Sequence, residues 1–119
     1  MEDDKATKDE VYVIALRGKL TGDREIEELK YHIRYLQDRK INKVVLDLLH
    51  LDWMASVGIG ALISFLTTMR NAGGDVRLSN LNDKIKNIMA MSHLDQVFQI
   101  YDTADLAIQS FLMEKQQLQ

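Results

Sequence analysis

The chain has no cysteine and no proline among its 119 residues. The missing cysteine excludes disulfides and thiolate metal sites, which suits a reducing cytoplasm. With no proline, the turns must rely on glycine, asparagine and aspartate. No apolar run approaches the ~18–20 residues that span a bilayer. Nor does the N-terminus have the charged-then-apolar layout of a signal peptide. The expectation is a soluble cytoplasmic protein without membrane insertion. A surplus of positive charge is lacking too. The net charge of −3 arises within residues 1–10, and the remaining residues balance at zero. A body with no basic surplus does not fit nucleic-acid binding.

What is present is ordinary for a globular chain, with 46% hydrophobic and 28% charged residues. The length suits one domain, which can bury roughly two thirds of the surface its unfolded chain exposes. The expected organisation is an acidic, flexible lead-in over residues 1–9, a folded domain over 10–113 and a polar tail over 114–119.

Residues 11–16, rich in β-branched and aromatic types, read as a strand that Gly18 breaks, with Lys19 and Leu20 resuming a short second one. Thr21, Gly22 and Asp23 form a turn with a helix cap. Ile26, Leu29, Ile33 and Leu36 then recur at helical spacing. Residues 44–49 are apolar almost without alternation, as expected of a central strand buried on both faces. A second helix presents Ile59, Leu62, Ile63, Leu66 and Met69 and ends at Asn71-Ala72-Gly73-Gly74. A short strand at 76–78, a brief helix around Ile85, Ile88 and Met89, and a strand at 97–101 follow. Asp102 and Thr103 cap a last helix with Ala104, Ala107, Ile108, Phe111 and Leu112 on its apolar side. Alternating helices and strands with short links argue for an α/β fold whose later strands are mostly parallel. A reversal of strand order would open a crevice at the carboxyl ends of the strands, where the turn after Leu49 lies.

Ser56 stands in that turn, and two readings of it are compatible. As an N-cap it would bond a backbone N–H of the first helical turn, worth about 1 kcal/mol. As a phosphoacceptor it would place ~1.5–2 negative charges where the helix dipole and unpaired N–H groups accept them. Gly58 and Gly60 follow within the first turns, where each costs up to ~1 kcal/mol against alanine. They imply a close approach, by the neighbouring strand or by something from outside.

Other candidates for chemistry are weaker. His32, His50 and His93 do not stand at metal-ligand spacing, and each reads as a surface or boundary residue. A nucleophile elbow would need a glycine two residues before Ser56, and Met54 is there instead. Gly58-Ile59-Gly60 is neither a phosphate-binding loop nor a dinucleotide fingerprint. Tyr31 and Tyr35 form an i,i+4 aromatic pair on the first helix. Trp53, in the loop beside Ser56, reads as a half-buried lid or an interface anchor.

The segment Asp52-Trp53-Met54-Ala55-Ser56-Val57-Gly58-Ile59-Gly60-Ala61-Leu62 resembles the phosphorylation loop of anti-sigma factor antagonists in the STAS domain family. The likeness extends over about residues 11–112. Val45-Leu46-Asp47-Leu48 is similar to the family's central strand. Asn71 to Leu78 resembles its next helix end and strand, and Leu94 to Phe98 with Tyr101-Asp102 its closing pattern. Ser56 falls on the phosphorylated serine. Ala55 departs from the family's acid before it, and Val57 replaces a small residue. The resemblance implies a STAS-like α/β fold, a central mixed sheet of four to five strands packed against about four helices. It implies a binding protein rather than an enzyme, without cofactor or metal. An anti-sigma factor that is also a serine kinase would bind it and phosphorylate Ser56 with its own ATP. A metal-dependent phosphatase of the PP2C type would reverse the modification. The partner would meet Gly22, Asp23, Arg24, Trp53, Met54, Ala55, Val57, Gly58, Ile59 and Gly60, and a homodimer is left open. The alternative is a non-phosphorylated STAS subunit of a larger stress-signalling or lipid-transport assembly.

Overall fold

A computed structural model describes residues 2–6 and 11–117, with side chains from 11 to 114. The described elements are strands β1 (Glu2–Ala6), β2 (Val11–Leu20), β3 (Lys43–Met54), β4 (Asp75–Ser79) and β5 (Ile100–Tyr101), and helices α1 (Asp23–Asp38), α2 (Ser56–Asn71), α3 (Asp83–Met91) and α4 (Ala104–Gln117). The five strands lie side by side in chain order, so the sheet has no reversal of strand order. A crevice of that origin is therefore missing among the described strands, although a cavity of about 190 Å³ lies near their carboxyl ends, lined by Leu49, Asn80, Asn82, Lys86 and Tyr101. β1 is antiparallel to β2, and the pairs β2–β3, β3–β4 and β4–β5 are parallel. The result is a mixed α/β sheet of five described strands with four helices, the architecture that the resemblance implies.

Chain-order progression with right-handed crossovers puts successive helices on one face. The main core accordingly joins Ile14, Leu16, Leu46, Leu48 and Leu78 of the sheet to Leu29 and Leu36 of α1, Leu62 and Phe65 of α2, and Met89 of α3. α4 covers the opposite face, where Ala107 and Phe111 pack on Val11 and Val45. Period-two alternation in the strands supplies both faces, so the uninterrupted apolar run of β3 is explained by burial on each side. α4 is clipped to the sheet by Arg77, which is 3% exposed. Its guanidinium donates to Asp75 Oδ2 (3.1 Å), Ser110 Oγ (2.7 Å) and Glu114 Oε1 (2.5 Å), and stacks 3.9 Å from the Phe111 ring.

Several boundaries differ from the sequence reading. Residues 2–6 pair with β2 as an edge strand where a lead-in was expected, because backbone pairing there needs no apolar side chain; residues 1 and 7–9 of that lead-in lie outside the described residues. Gly18 does not end β2. It takes φ +71° inside an irregular register, and the strand continues to Leu20 opposite Met54. A bulge of this kind bends a strand without breaking its pairing. β3 likewise runs five residues beyond Leu49, since the prolonged β2 keeps it paired. The strand expected over 97–101 shortens to Ile100–Tyr101, preceded by a 3-10 turn at Leu94–Gln96. α4 continues to Gln117, into the expected polar tail. Tyr35 packs on Tyr12 of β2 (centroids 5.8 Å apart), while Tyr31 stands edge-on to His32, so the two tyrosines do not act as the pair expected.

Candidate functional site

The turn carrying Ser56 forms where β2 and β3 end together. The Ala55 N–H donates to the Leu20 carbonyl (3.1 Å), tying the two strand ends just before α2 starts. Ala55, extended at φ −93° and ψ 176°, is the N-cap, and it has no side-chain acceptor to offer. Its carbonyl accepts from the Gly58 and Ile59 N–H groups at 2.9 and 3.0 Å. Ser56 is thus the first helical residue, one position beyond the cap the sequence reading allowed it. It is exposed, and its hydroxyl has no hydrogen bond to another described residue. At the first and second helical positions a backbone N–H has no intrahelical acceptor, so the N–H groups of Ser56 and Val57 face outward unpaired by the helix.

The two glycines separate. A Cβ on Gly58 would lie 2.4 Å from the Leu20 carbonyl oxygen and 2.9 Å from Leu20 Cγ. Gly58 is therefore required by the strand beneath it. A Cβ on Gly60 would meet nothing within 4 Å. Gly60 is exposed, and nothing inside the molecule calls for its lack of a side chain.

The Gly22 turn lies beside this one, because Thr21 and Gly22 follow directly on Leu20. Gly22 caps α1 and donates its N–H to Glu25 Oε1 at 3.2 Å, while Asp23 and Arg24 are exposed in the first helical turn. The residues expected to meet a partner thus gather at one end of the sheet, with two departures. Met54 is 2% exposed and belongs to the core. Gly58 is buried under Leu20. Both support the surface from below. Ala55 and Ile59 are half-buried, whereas Trp53 (44% exposed) and Val57 (48%) are open. Trp53 lies in β3 opposite Lys19, not in a loop.

One feature escaped the sequence reading. A cavity of about 210 Å³ opens between α1 and α2, lined by Ile26, Leu29 and Ile33 on one side and Val57, Ala61 and Ser64 on the other. Its signal was the small residues at 61 and 64, spaced four and seven from Val57, which keep the two helices from closing over it. His32, near the apolar side of α1, is buried, while His50 and His93 are exposed. Among the described residues no group of three or more His, Asp or Glu side chains could hold a metal ion. No described helix is long and apolar enough to cross a membrane.

Comparison with known proteins supports the architecture. An anti-sigma F factor antagonist of Paenibacillus polymyxa is 28% identical over 92 residues, covering 77% of this chain and 79% of the relative. A candidate anti-sigma factor antagonist of Thermotoga maritima is 28% identical over 68 residues, 57% of this chain. That match spans 60% of the Thermotoga relative's own length. Among solved structures, a candidate anti-sigma factor antagonist of Thermotoga maritima superposes with a TM-score of 0.75 at 23% identity, covering 90% of this chain and 91% of that one. The anti-sigma factor antagonist SpoIIAA in its unphosphorylated form gives 0.71 at 15%, covering 93% and 96%. The Bacillus SpoIIAA in its phosphorylated form also gives 0.71, at 19%, covering 92% and 97%. The STAS domain of a SulP transporter from Vibrio cholerae gives 0.73 at 17%, covering 87% and 82%. The sequence pattern of the STAS domain family matches residues 4–107. The chain therefore belongs to the STAS domain family.

Proposed function

We propose that this protein is a cytoplasmic anti-sigma factor antagonist, switched by reversible phosphorylation of Ser56. The carrying observation is the Ser56 hydroxyl: exposed, unbonded within the described chain and set at the first position of α2. The relatives named as antagonists, and SpoIIAA solved with and without phosphate, support the same reading. The unmodified protein would dock an anti-sigma factor carrying serine kinase activity against Trp53, Val57, Gly60 and the turn of Gly22, Asp23 and Arg24. Catalysis and ATP belong to that partner, and a PP2C-type phosphatase would restore the hydroxyl.

The electrostatics suit a switch. A phosphate on Ser56 adds ~1.5–2 negative charges at the rim of the proposed contact. In the free protein those charges meet the helix dipole and unpaired N–H groups, and water solvates the rest. In a desolvated interface the same charges lose water and oppose Asp52, four residues earlier in the chain. A penalty of ~2.7 kcal/mol would weaken the complex a hundredfold.

A second reading is a non-phosphorylated STAS subunit of a larger assembly. It is favoured by Ala55 and Val57, the two positions where the chain departs from the family's phosphorylation-loop pattern. The deciding experiment pairs phosphopeptide mapping of residues 44–70 from the native host with capture of the partner by Ser56→Ala and Ser56→Asp. Phosphate on Ser56, with capture by the alanine but not the aspartate variant, supports the switch. An unmodified Ser56 under varied growth conditions, with equal capture by both, supports the second reading.

A further inference from the structure

We infer that Gly60 keeps one flank of Ser56 clear, so that a phosphoryl donor and the groups holding it can reach the hydroxyl. This rests on Ser56 being the phosphoacceptor. Gly60 has no other explanation in the molecule. Its φ is not in the left-handed region, where Gly18 and Gly73 are the glycines found. A Cβ there would meet nothing within 4 Å, whereas the same test at Gly58 strikes the Leu20 backbone. Glycine is also among the worst helix formers, so at this exposed position it is a local loss to the fold.

Direction supplies the reason. Side chains on an α-helix lean back toward its N-terminus and cover the turn before their own Cα. A side chain at 60 would lean over the turn that carries Ser56, which is its i−4 neighbour on the same face. The helix positions flanking Gly60 and Ser56 point elsewhere. Ile59 packs against the core, and Val57 and Ala61 line the groove toward α1. In the transfer itself, the Ser56 oxygen attacks the γ-phosphorus of a nucleoside triphosphate held by the kinase. The new O–P bond forms as the bond to the bridging oxygen breaks. The nucleoside diphosphate leaves, and the hydroxyl proton passes to a base of the kinase. Attack and departure lie roughly in line, so the donor needs an unobstructed approach. Gly60 is thus an access residue whose substitution helps the fold and hinders the modification.

The absence of cysteine gives a direct test. Ser56→Cys in the full chain carries a single thiol. Its alkylation is timed with iodoacetamide and with the bulky N-(1-pyrenyl)maleimide, in the Gly60, Gly60→Ala and Gly60→Leu backgrounds. The bulky-to-small rate ratio cancels any change in thiol acidity. It should fall about tenfold with leucine, whose side chain extends over the preceding turn, and less with alanine, whose Cβ stops more than 4 Å from the Ser56 side chain. A ratio constant within about twofold in both backgrounds overturns the inference. In the native host, Gly60→Leu and Gly60→Ala with Ser56 intact should lose phosphate at Ser56 in the same order while the wild type carries it. Equal occupancy in all three overturns the role of Gly60 and leaves Ser56 as phosphoacceptor. An unmodified wild type overturns both. Thermal melts of the same proteins confirm that each remains folded.

Discussion

Alanine at Gly58 and at Gly60 should move stability in opposite directions, although the two positions are two residues apart on the same helix. At Gly60 the added methyl meets no side chain, and no backbone beyond its own turn of helix, within 4 Å. Only helix propensity acts, and it favours alanine by about 0.5–1 kcal/mol. At Gly58 the methyl would sit 2.4 Å from the Leu20 carbonyl oxygen, which already accepts from the Ala55 N–H at 3.1 Å. Carbon and oxygen need roughly 3.3 Å, so α2 and the end of β2 must part by nearly 1 Å. Such overpacking costs ~1–3 kcal/mol, and stretching the Ala55 bond adds ~0.5–1.5. Subtracting the propensity gain leaves a net loss of about 1–3 kcal/mol. With an unfolding entropy near 2.1 cal/mol/K per residue, 1 kcal/mol corresponds to ~4 °C for a chain of this length. Gly60→Ala should therefore melt about 2–4 °C higher and Gly58→Ala about 4–12 °C lower, with urea midpoints shifting in the same senses at unchanged slope. If both variants shift the same way, the packing of Leu20 against α2 is not as described.

Two further predictions concern the opposite face of the sheet. Arg77→Met removes the donor shared by Asp75, Ser110 and Glu114. Breaking a buried pair costs ~3–5 kcal/mol, and the lower end is expected because Arg70 still bonds Asp75 at 3.0 Å. Urea unfolding reads the loss, amide exchange should rise first in α4, and a change under ~0.5 kcal/mol with unaltered α4 exchange would refute the clip. Ser79 is fully buried, and its hydroxyl has no partner among the described residues. Ser79→Ala should stabilise the fold by about 0.5–2 kcal/mol in the same assay, and a loss of that size would mean the hydroxyl is bonded after all.

Much of the architecture was legible because periodicity reports burial. The continuous apolar run at 44–49 marked a central strand, and the helical spacing of Leu29 and Leu36 marked the face of α1. Thr103 was read as a cap, and its hydroxyl does accept from the Leu106 N–H at 3.1 Å. The failures share one cause, which is that pairing between distant strands overrides local signals. Gly18 breaks a pattern locally, yet β3 beside it holds β2 together through an irregular register. The extension of β3 to Met54 then turned an expected loop into a strand end, buried Met54 and moved the helix start by one residue. Tyr35 was assigned to a local i,i+4 partner, and Tyr12 of the sheet claimed it instead. In the site, the type and spacing of Ser56, Gly58 and Gly60 could be read from the chain. Which glycine answered to the fold could not, because that depended on where Leu20 lay in space.

That separation bears on how a fold can carry a switch without being switched itself. The core beneath the turn is fixed by Leu20, Met54 and Gly58, whose contacts face inward. Above it Ser56 and Gly60 are exposed, and Trp53 and Val57 are about half exposed, so a phosphate on Ser56 extends into solvent and not into the core. A dianion at the first helical position is worth roughly +0.3 to +1 kcal/mol to α2 by its dipole alone. Modification should thus leave the domain as stable as before or slightly more so, and any loss falls on the complex. The cost of Gly60 to α2 is of the same order as that gain, small against the 5–15 kcal/mol that holds a domain of this kind folded. A position that is poor for the helix and empty of contacts is affordable to the fold, and its placement over the turn of Ser56 makes it useful only to what approaches from outside.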